Sequence, residues 1–319
     1  MVSRDFGRTG WKVGEVGYGM WGMGGWTGSN DDESLESLER AVELGCNFFD
    51  TAWAYGQGRS ERLLGQLLRA KPDARIYSAT KIPPRNLKWP AAPDATLADS
   101  YPADHIREYA EKSLANIGVS TLDLLQFHSW NDAWAEDGEW HRAIAALKSE
   151  RLVRAVGISI NRWEPANCLR ALRTGLIDAV QVVYNVFDQA PEDELFPACR
   201  ALGVAVIARV PFDEGTLTGT LTNNTTWPEG DFRNIYFAGD KLAESVTRAE
   251  RLRPDVPSGM TMPELALRFI LAHPDVSTVI PGMRKRAHVD ANLGASDGRA
   301  LDAPLLQRLS AHRWDRTPR

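Results

Sequence analysis

The chain has 319 residues, 43% hydrophobic and 25% charged, which suits a well-filled core in two modest domains or one large α/β barrel. A formal net charge of −5 without a basic tract argues against a nucleic-acid partner, and no apolar run approaches the ~20 residues a membrane helix needs. The start, MVSRDFGRTG, lacks the apolar stretch of a signal peptide, and Cys46, Cys168 and Cys199 are few, odd in number and widely spaced. They read as buried thiols of a reducing, cytoplasmic protein, and with six scattered histidines no metal site is expected. Nothing in the sequence defines an oligomeric state.

In chain order, residues 4–13 (RDFGRTGWKV) suggest a hairpin with Thr9-Gly10 near its turn, placed to plug one end of the fold. Eight short β-branched or aromatic runs follow. The first four are 15–19 (EVGYG), 47–50 (NFFD), 76–80 (IYSAT) and 122–127 (LDLLQF). The second four are 153–158 (VRAVGI), 179–183 (AVQVV), 204–208 (VAVIA) and 276–280 (VSTVI). Most are continuously apolar, as parallel strands covered on both faces are.

Helical periodicity fills the intervals. The first helix is opened by Asn30-Asp31-Asp32, runs through Leu35, Leu38, Ala41 and Val42, and closes at Gly45. Others are expected at 58–70, 104–117, 139–150, 162–174, 191–202, 240–252 and 262–272. Eight alternations of strand and helix predict a single (β/α)8 TIM barrel over residues 1–319, with an N-terminal β-hairpin. Residues 82–103 and 210–239 follow strand ends and should be long loops on its C-terminal face, where loops of that length are usually functional.

Chemistry in such barrels sits at the C-terminal ends of the strands. That layer holds Trp21 after strand one, Asp50 and Tyr55 after two, and Lys81 after three. Strands four to eight deliver His128, Ser159, Gln181, Arg209 and Arg284. Taken singly, each has a bland role as a cap, a packed ring or a solvated charge. Together, Asp50, Tyr55, Lys81 and His128 are complementary. A phenol is a poor acid with a pKa near ~10; a nearby ammonium should lower it, a carboxylate should fix the ammonium, and a histidine can orient the same substrate oxygen. Such a set protonates an oxygen while something else attacks its carbon, and a bound hydride donor is the economical partner.

The motifs carrying these residues resemble the aldo-keto reductase family over essentially the whole chain. DTAWAYG (50–56) is similar to that family's DTA-x-x-YG signature, ATK (79–81) to its lysine segment and DLLQFH (123–128) to its histidine segment. GISIN (157–161), VQVVYN (180–185) and IPGMR (280–284) follow in the family's order. The resemblance implies that Tyr55 is the general acid-base, tuned by Asp50 and Lys81, and that His128 orients a small-molecule carbonyl substrate. It also implies a nicotinamide cofactor laid across the barrel mouth; no GxGxxG opens a helix, so a Rossmann site is not expected. Positions matching the family's cofactor contacts are Met20, Asp50, Ser159, Asn161, Gln181, Arg209, Pro211, Gly215, Leu217, Gly219, Gly282, Arg284, His288 and Asn292.

Several positions depart from the family pattern. Ile160 separates Ser159 from Asn161, Arg209 stands where an aromatic usually stacks, and His288 and Ala291 replace the usual Arg or Gln and the usual Glu. Asp213 and Glu214 must point away from a phosphate in their loop, 211–219. Arg284, Lys285 and Arg286 beside a helix start favour a 2′-phosphate, hence NADPH, with NADH possible. Trp21, Trp53, Trp89 and Trp130 are expected to wall the substrate pocket. Two other functions fit the same residues: a Schiff-base barrel lyase using Lys81, and a redox-sensing subunit that binds cofactor without turnover.

Overall fold

The structure is a computed structural model describing residues 1–26 and 28–316. Strands β1 (Ser3–Asp5) and β2 (Lys12–Gly14) pair antiparallel, joined by residues 6–11. Gly10 closes the turn at φ 76°, in the left-handed region glycine tolerates.

Eight parallel strands then follow in spatial order of sequence: β3 (Tyr18–Gly19), β4 (Phe48–Asp50), β5 (Tyr77–Ile82), β6 (Leu122–Phe127), β7 (Val153–Ser159), β8 (Ala179–Val183), β9 (Ala205–Arg209) and β10 (Val276–Val279). The barrel closes where Gly17 N donates to Val279 O (2.8 Å) and Gly19 N to Pro281 O (2.9 Å). Of the expected strand at 15–19 only Tyr18 and Gly19 form a ladder, while Val16 and Gly19 make single bridges to Val279 and Gly282 on the closing side; a Cβ on Gly19 would stand 2.6 Å from Ile280 O.

The connections are mostly helical. They comprise α1 (Asp31–Glu43), α2 (Arg59–Ala70), α3 (Leu97–Ser100), α4 (Ala103–Ile117), α5 (Gly138–Ser149), α6 (Leu169–Arg173) and α7 (Leu195–Leu202). After β9 come α8 (Arg233–Tyr236), α9 (Lys241–Leu252) and α10 (Met262–Ala272), and after β10 come α11 (Arg286–Gly294) and α12 (Ala303–Ser310). Helix α1 forms as its residues dictate. Asn30 Oδ1 accepts from Glu33 N (3.1 Å), three acids occupy the first turn, and Leu38 and Ala41 are buried against the barrel.

The helix expected at 162–174 is reduced to α6. Trp163 takes a left-handed φ of 62° and Pro165 comes two residues later. The side chains of Glu164 and Asn167 tie the segment to Asn161 and to Trp130 O, so it runs as turns.

Inside the barrel, side chains alternate with a period of two. A lower layer of Phe48, Ala79, Leu124, Ala155, Ala179 and Ala205 is apolar and closed from below by the hairpin. Phe6 packs on Phe48 with centroids 5.2 Å apart, and Trp11 stacks on Tyr77 at 4.9 Å. Residues one step further along each strand, such as Phe49, Leu125, Val156, Val180 and Val206, join the core beneath the helices. Two steps along, the interior turns polar.

Candidate active site

That upper layer is Asp50, Lys81, Gln126 and Gln181, all buried. The strand register sets it: Lys81 is level with Gln126, and Gln181 with Ser159. Lys81 Nζ donates to Asp50 Oδ1 (2.5 Å), Thr51 O (2.7 Å) and Tyr55 Oη (3.2 Å), which accounts for all three N–H bonds of an ammonium. The other Asp50 oxygen accepts from Gln126 Nε2 (3.0 Å) and Gln181 Nε2 (2.7 Å). The carboxylate is thus fixed on both sides.

Tyr55 sits in the turn leaving β4, where Tyr55 N donates to Ala52 O and Gly56 takes a φ of 68°. At Gly56 a Cβ would meet Gly24 O at 2.3 Å, so glycine lets the 20–25 loop lie on this turn. Burial raises the Tyr55 pKa above the ordinary tyrosine value; Lys81 opposes this and Asp50 adds to it. The expected net lowering by Lys81 is therefore overturned, because the cost of a buried phenolate exceeds the pull of an ammonium already neutralised by Asp50. Tyr55 is a protonated phenol at neutral pH. Burial works to deprotonate Lys81, but Asp50 and Tyr55 outweigh it and its pKa is raised.

His128 lies at the end of β6 with its ring edge-on to Tyr55 (centroids 5.6 Å) and to Trp89 (5.5 Å). Burial, with Lys81 and Arg209 nearby, drives its pKa well below the usual imidazole value, so it is neutral. Its buried Nδ1 has no hydrogen-bond partner among the described residues.

On the far rim, Arg209 Nη2 donates to Ile160 O (3.0 Å). Burial and the neighbouring Arg162 push the Arg209 pKa down to about 10, and its buried Nε is unpartnered among the described residues. Ser159 is buried beside it. Asn161 is committed elsewhere: its Nδ2 donates to Glu164 Oε2 (2.7 Å) and its Oδ1 accepts from Trp130 N (3.4 Å). Pro211 and Leu217 are buried and Gly215 and Gly219 have positive φ, giving a tightly wound 211–219 loop. Asp213 and Glu214 are ion-paired to Arg316 (2.9 Å) and Arg162 (2.7 Å).

Met20 is buried, its N donating to Asp50 O (2.9 Å). Gly282 is exposed on the same rim, where a Cβ would meet nothing closer than 4.0 Å. Arg284 is half-buried, its side chain against Gly22. His288 is exposed on α11 and Asn292 is buried in the same helix.

The four tryptophans separate. Trp21 (45% exposed) and Trp89 (44%) stand open at the mouth; Trp21 stacks on Trp26 (5.1 Å) and meets Phe232 edge-on (6.4 Å). Trp53 packs on α4, against Tyr109 at 4.8 Å. Trp130 does not wall a pocket. It is fully buried among Phe127, Trp134 and Trp140, because the segment after β6 folds back under α5.

Sequence reasoning missed Gln126, Thr51 and Arg162. Gln126 was legible, as it stands two residues before His128 and so on the inward side of the strand. Thr51 acts through its carbonyl, and Arg162 was hidden in a segment read as helix.

Comparison with known proteins agrees with this architecture. The chain is 27% identical over 318 residues to the NADH-specific methylglyoxal reductase of Escherichia coli, covering 95% of this chain and 96% of the relative. It is 27% identical over 309 residues to the aldo-keto reductase yakc [NADP(+)] of Schizosaccharomyces pombe, covering 92% and 86%. Among solved structures, the holo form of aldo-keto reductase AKR11C1 from Bacillus halodurans superposes with a TM-score of 0.79 at 26% identity, covering 100% of this chain and 98% of that one. The family model described as aldo/keto reductase matches residues 15–313, nearly the full barrel, and the chain belongs to that family.

Proposed function

We propose that the protein is an NADPH-dependent reductase of aldehydes or ketones in which Tyr55 is the general acid. The observation carrying this is the buried chain Tyr55 Oη, Lys81 Nζ, Asp50 Oδ1, with links of 3.2 and 2.5 Å. A neutral phenol at the mouth delivers its proton to the carbonyl oxygen, and the resulting phenolate is stabilised by the adjacent ammonium. His128, neutral and clamped between two rings, donates an N–H to the same oxygen and orients it. When bound, a reduced nicotinamide supplies the hydride to the carbonyl carbon.

The residues present fit such a group. Within the 209–219 segment, Arg209 Nε and Thr216 Oγ1 are buried donors without partners among the described residues, and a Cβ at Gly215 or Gly282 would meet no neighbour closer than 4.0 Å, so both positions border open space. Ser159 and Gln181 would hold the carboxamide, and Gln181 offers its Oε1 since its Nε2 is given to Asp50. Arg209 offers a planar face to the ring. Met20, Pro211, Leu217 and Gly219 would line the path, with Asn292 and His288 at the adenosine end. Arg284, Lys285 and Arg286 favour a 2′-phosphate, and the relatives named for NADH and for NADP(+) make both dinucleotides necessary in any test. Trp21 and Trp89 would face an apolar or ring-bearing carbonyl compound.

A Schiff-base role for Lys81 is disfavoured, because that chemistry needs a depressed lysine pKa and the Asp50 partner raises it. The test is a panel of aldehydes and ketones with NADPH and with NADH. Turnover is expected with NADPH preferred. Tyr55→Phe should cut kcat by roughly 10²–10⁴-fold while cofactor affinity, measured by titration, stays near wild type. Tight cofactor binding without turnover on any carbonyl would leave only the redox-sensing role.

A further inference from the structure

The 210–214 segment holds three non-glycine residues in the left-handed region: Val210 (φ 57°), Asp213 (45°) and Glu214 (55°). Such a backbone persists only where its surroundings over-determine it. The surroundings are two arginines from distant parts of the chain. Arg162, after β7, holds Glu214. Arg316, from the C-terminal tail, reaches Asp213 with Nη2 (2.9 Å), and its Nε donates to Asp188 Oδ1 (3.0 Å) while Nη2 also meets Asp188 Oδ2. Its Nη1 donates to Tyr236 Oη (2.8 Å), which donates in turn to Asp213 Oδ1 (2.8 Å).

Arg316 is itself fixed. Its side chain is 7% exposed and lies over the rings of Trp163 (5.0 Å) and Trp314 (4.5 Å). Trp314 N donates to Phe187 O (2.7 Å), anchoring the tail on the loop after β8. One guanidinium thus ties the 213–218 turn to the rigid rim of β8 through two buried carboxylates, a task suited to its planar fork and not to a point charge.

We propose that Arg316 is a positioning residue for the cofactor loop: by clamping Asp213 to Asp188 it holds residues 211–219 closed and sets how fast a bound nicotinamide dinucleotide leaves. This rests on the cofactor role proposed above for that loop. Dissociation requires the strained turn to move, and it cannot move as a unit while Asp213 is bound to the tail. Opening the clamp therefore accelerates release without touching Tyr55, Lys81 or His128.

The test measures NADPH Kd and dissociation rate from tryptophan fluorescence in the wild type, Arg316→Ala, Arg316→Lys and Asp213→Asn, alongside thermal melts and steady-state kinetics. Arg316→Ala should raise the dissociation rate by about tenfold. Arg316→Lys, which retains charge but not the fork, and Asp213→Asn, which retains shape but not charge, should raise it less. The KM for cofactor should follow Kd while kcat at saturating cofactor does not fall. Dissociation rates within about twofold of wild type in well-folded Arg316→Lys and Asp213→Asn would overturn the clamp; so would an effect confined to melting temperature. A wild type that binds neither NADPH nor NADH removes the cofactor role and this inference with it, whereas normal wild-type binding with unaltered variants removes the inference alone.

Discussion

Two residues of strand separate the dry floor of this barrel from its charged upper layer. Phe48 and Asp50, Ala79 and Lys81, Leu124 and Gln126, and Ala179 and Gln181 are pairs on the same strands, pointing the same way. The floor is closed by the rings of Phe6 and Trp11 and needs no polar partner. In the layer above, an ammonium, a carboxylate and two amides are buried, and both charges are paired and hydrogen-bonded. The lesson is that the floor excludes water from beneath the charges, and their pairing is what makes burying them tolerable. The two layers should therefore fail differently when broken.

The largest separation is expected at Lys81. Lys81→Met leaves the Asp50 carboxylate buried without its cation and, in the proposed mechanism, removes the counter-charge from the phenolate that forms when Tyr55 gives up its proton. Turnover should fall by about 10²–10⁴-fold, and stability by about 3–5 kcal/mol, as for a broken buried pair. Denaturant melts and steady-state rates on the same sample check both. Full activity in Lys81→Met would detach the upper layer from the chemistry.

Phe48→Ala breaks the floor instead. A cavity beneath the Asp50 side chain should cost about 3–5 kcal/mol of stability, read from the denaturant midpoint, while kcat of the folded fraction stays within about tenfold of wild type. A kinetic loss as deep as that of Lys81→Met would mean that the two layers act as one unit.

Much of this contrast was legible in the sequence. Short β-branched runs gave all eight strands, and the residues at their ends gave Asp50, Tyr55, Lys81 and His128. The alternation inside each strand was less visible, because alanines on the floor and valines under the helices are both apolar, and Gln126 went unnoticed between leucine and phenylalanine. Helix 162–174 was misplaced because apolar spacing carries no sign of a left-handed Trp163 and was given more weight than Pro165, two residues on. The roles of Arg162 and Arg316 were invisible, since an arginine's partners 52 and 128 residues away depend on the tertiary fold.

Titration sharpens the contrast at smaller scale. His128 is neutral in the folded protein, with its pKa driven far down by burial and by Lys81 and Arg209. In the unfolded chain it takes up a proton near pH ~6.5. As pH falls below that value the unfolded state binds a proton the folded state refuses, so the stability contribution is present above ~6.5 and is lost toward acid. The loss is bounded at about 1.4 kcal/mol per pH unit. His105 and His273, also lowered by burial, act in the same direction. His128→Gln should reduce the slope of stability against pH between about 5 and 6.5, measured by urea melts at several pH values. An unchanged slope would show that His128 titrates normally in the folded protein.

The smallest effect distinguishes two tryptophans that sequence reasoning placed together. Trp89 is open at the mouth and edge-on to His128, whereas Trp130 is sealed among three aromatic rings behind β6. An aromatic pair at such a distance is worth about 0.5–1.5 kcal/mol beyond burial, so Trp89→Ala should raise the KM of a ring-bearing carbonyl substrate by about three- to tenfold with a lesser change in kcat. Trp130→Phe should lower the melting temperature and leave that KM within about twofold, because the contact it loses faces the core. Equal shifts in KM from both substitutions would mean that the wall of the pocket is transmitted through the aromatic cluster and is not a property of the exposed ring.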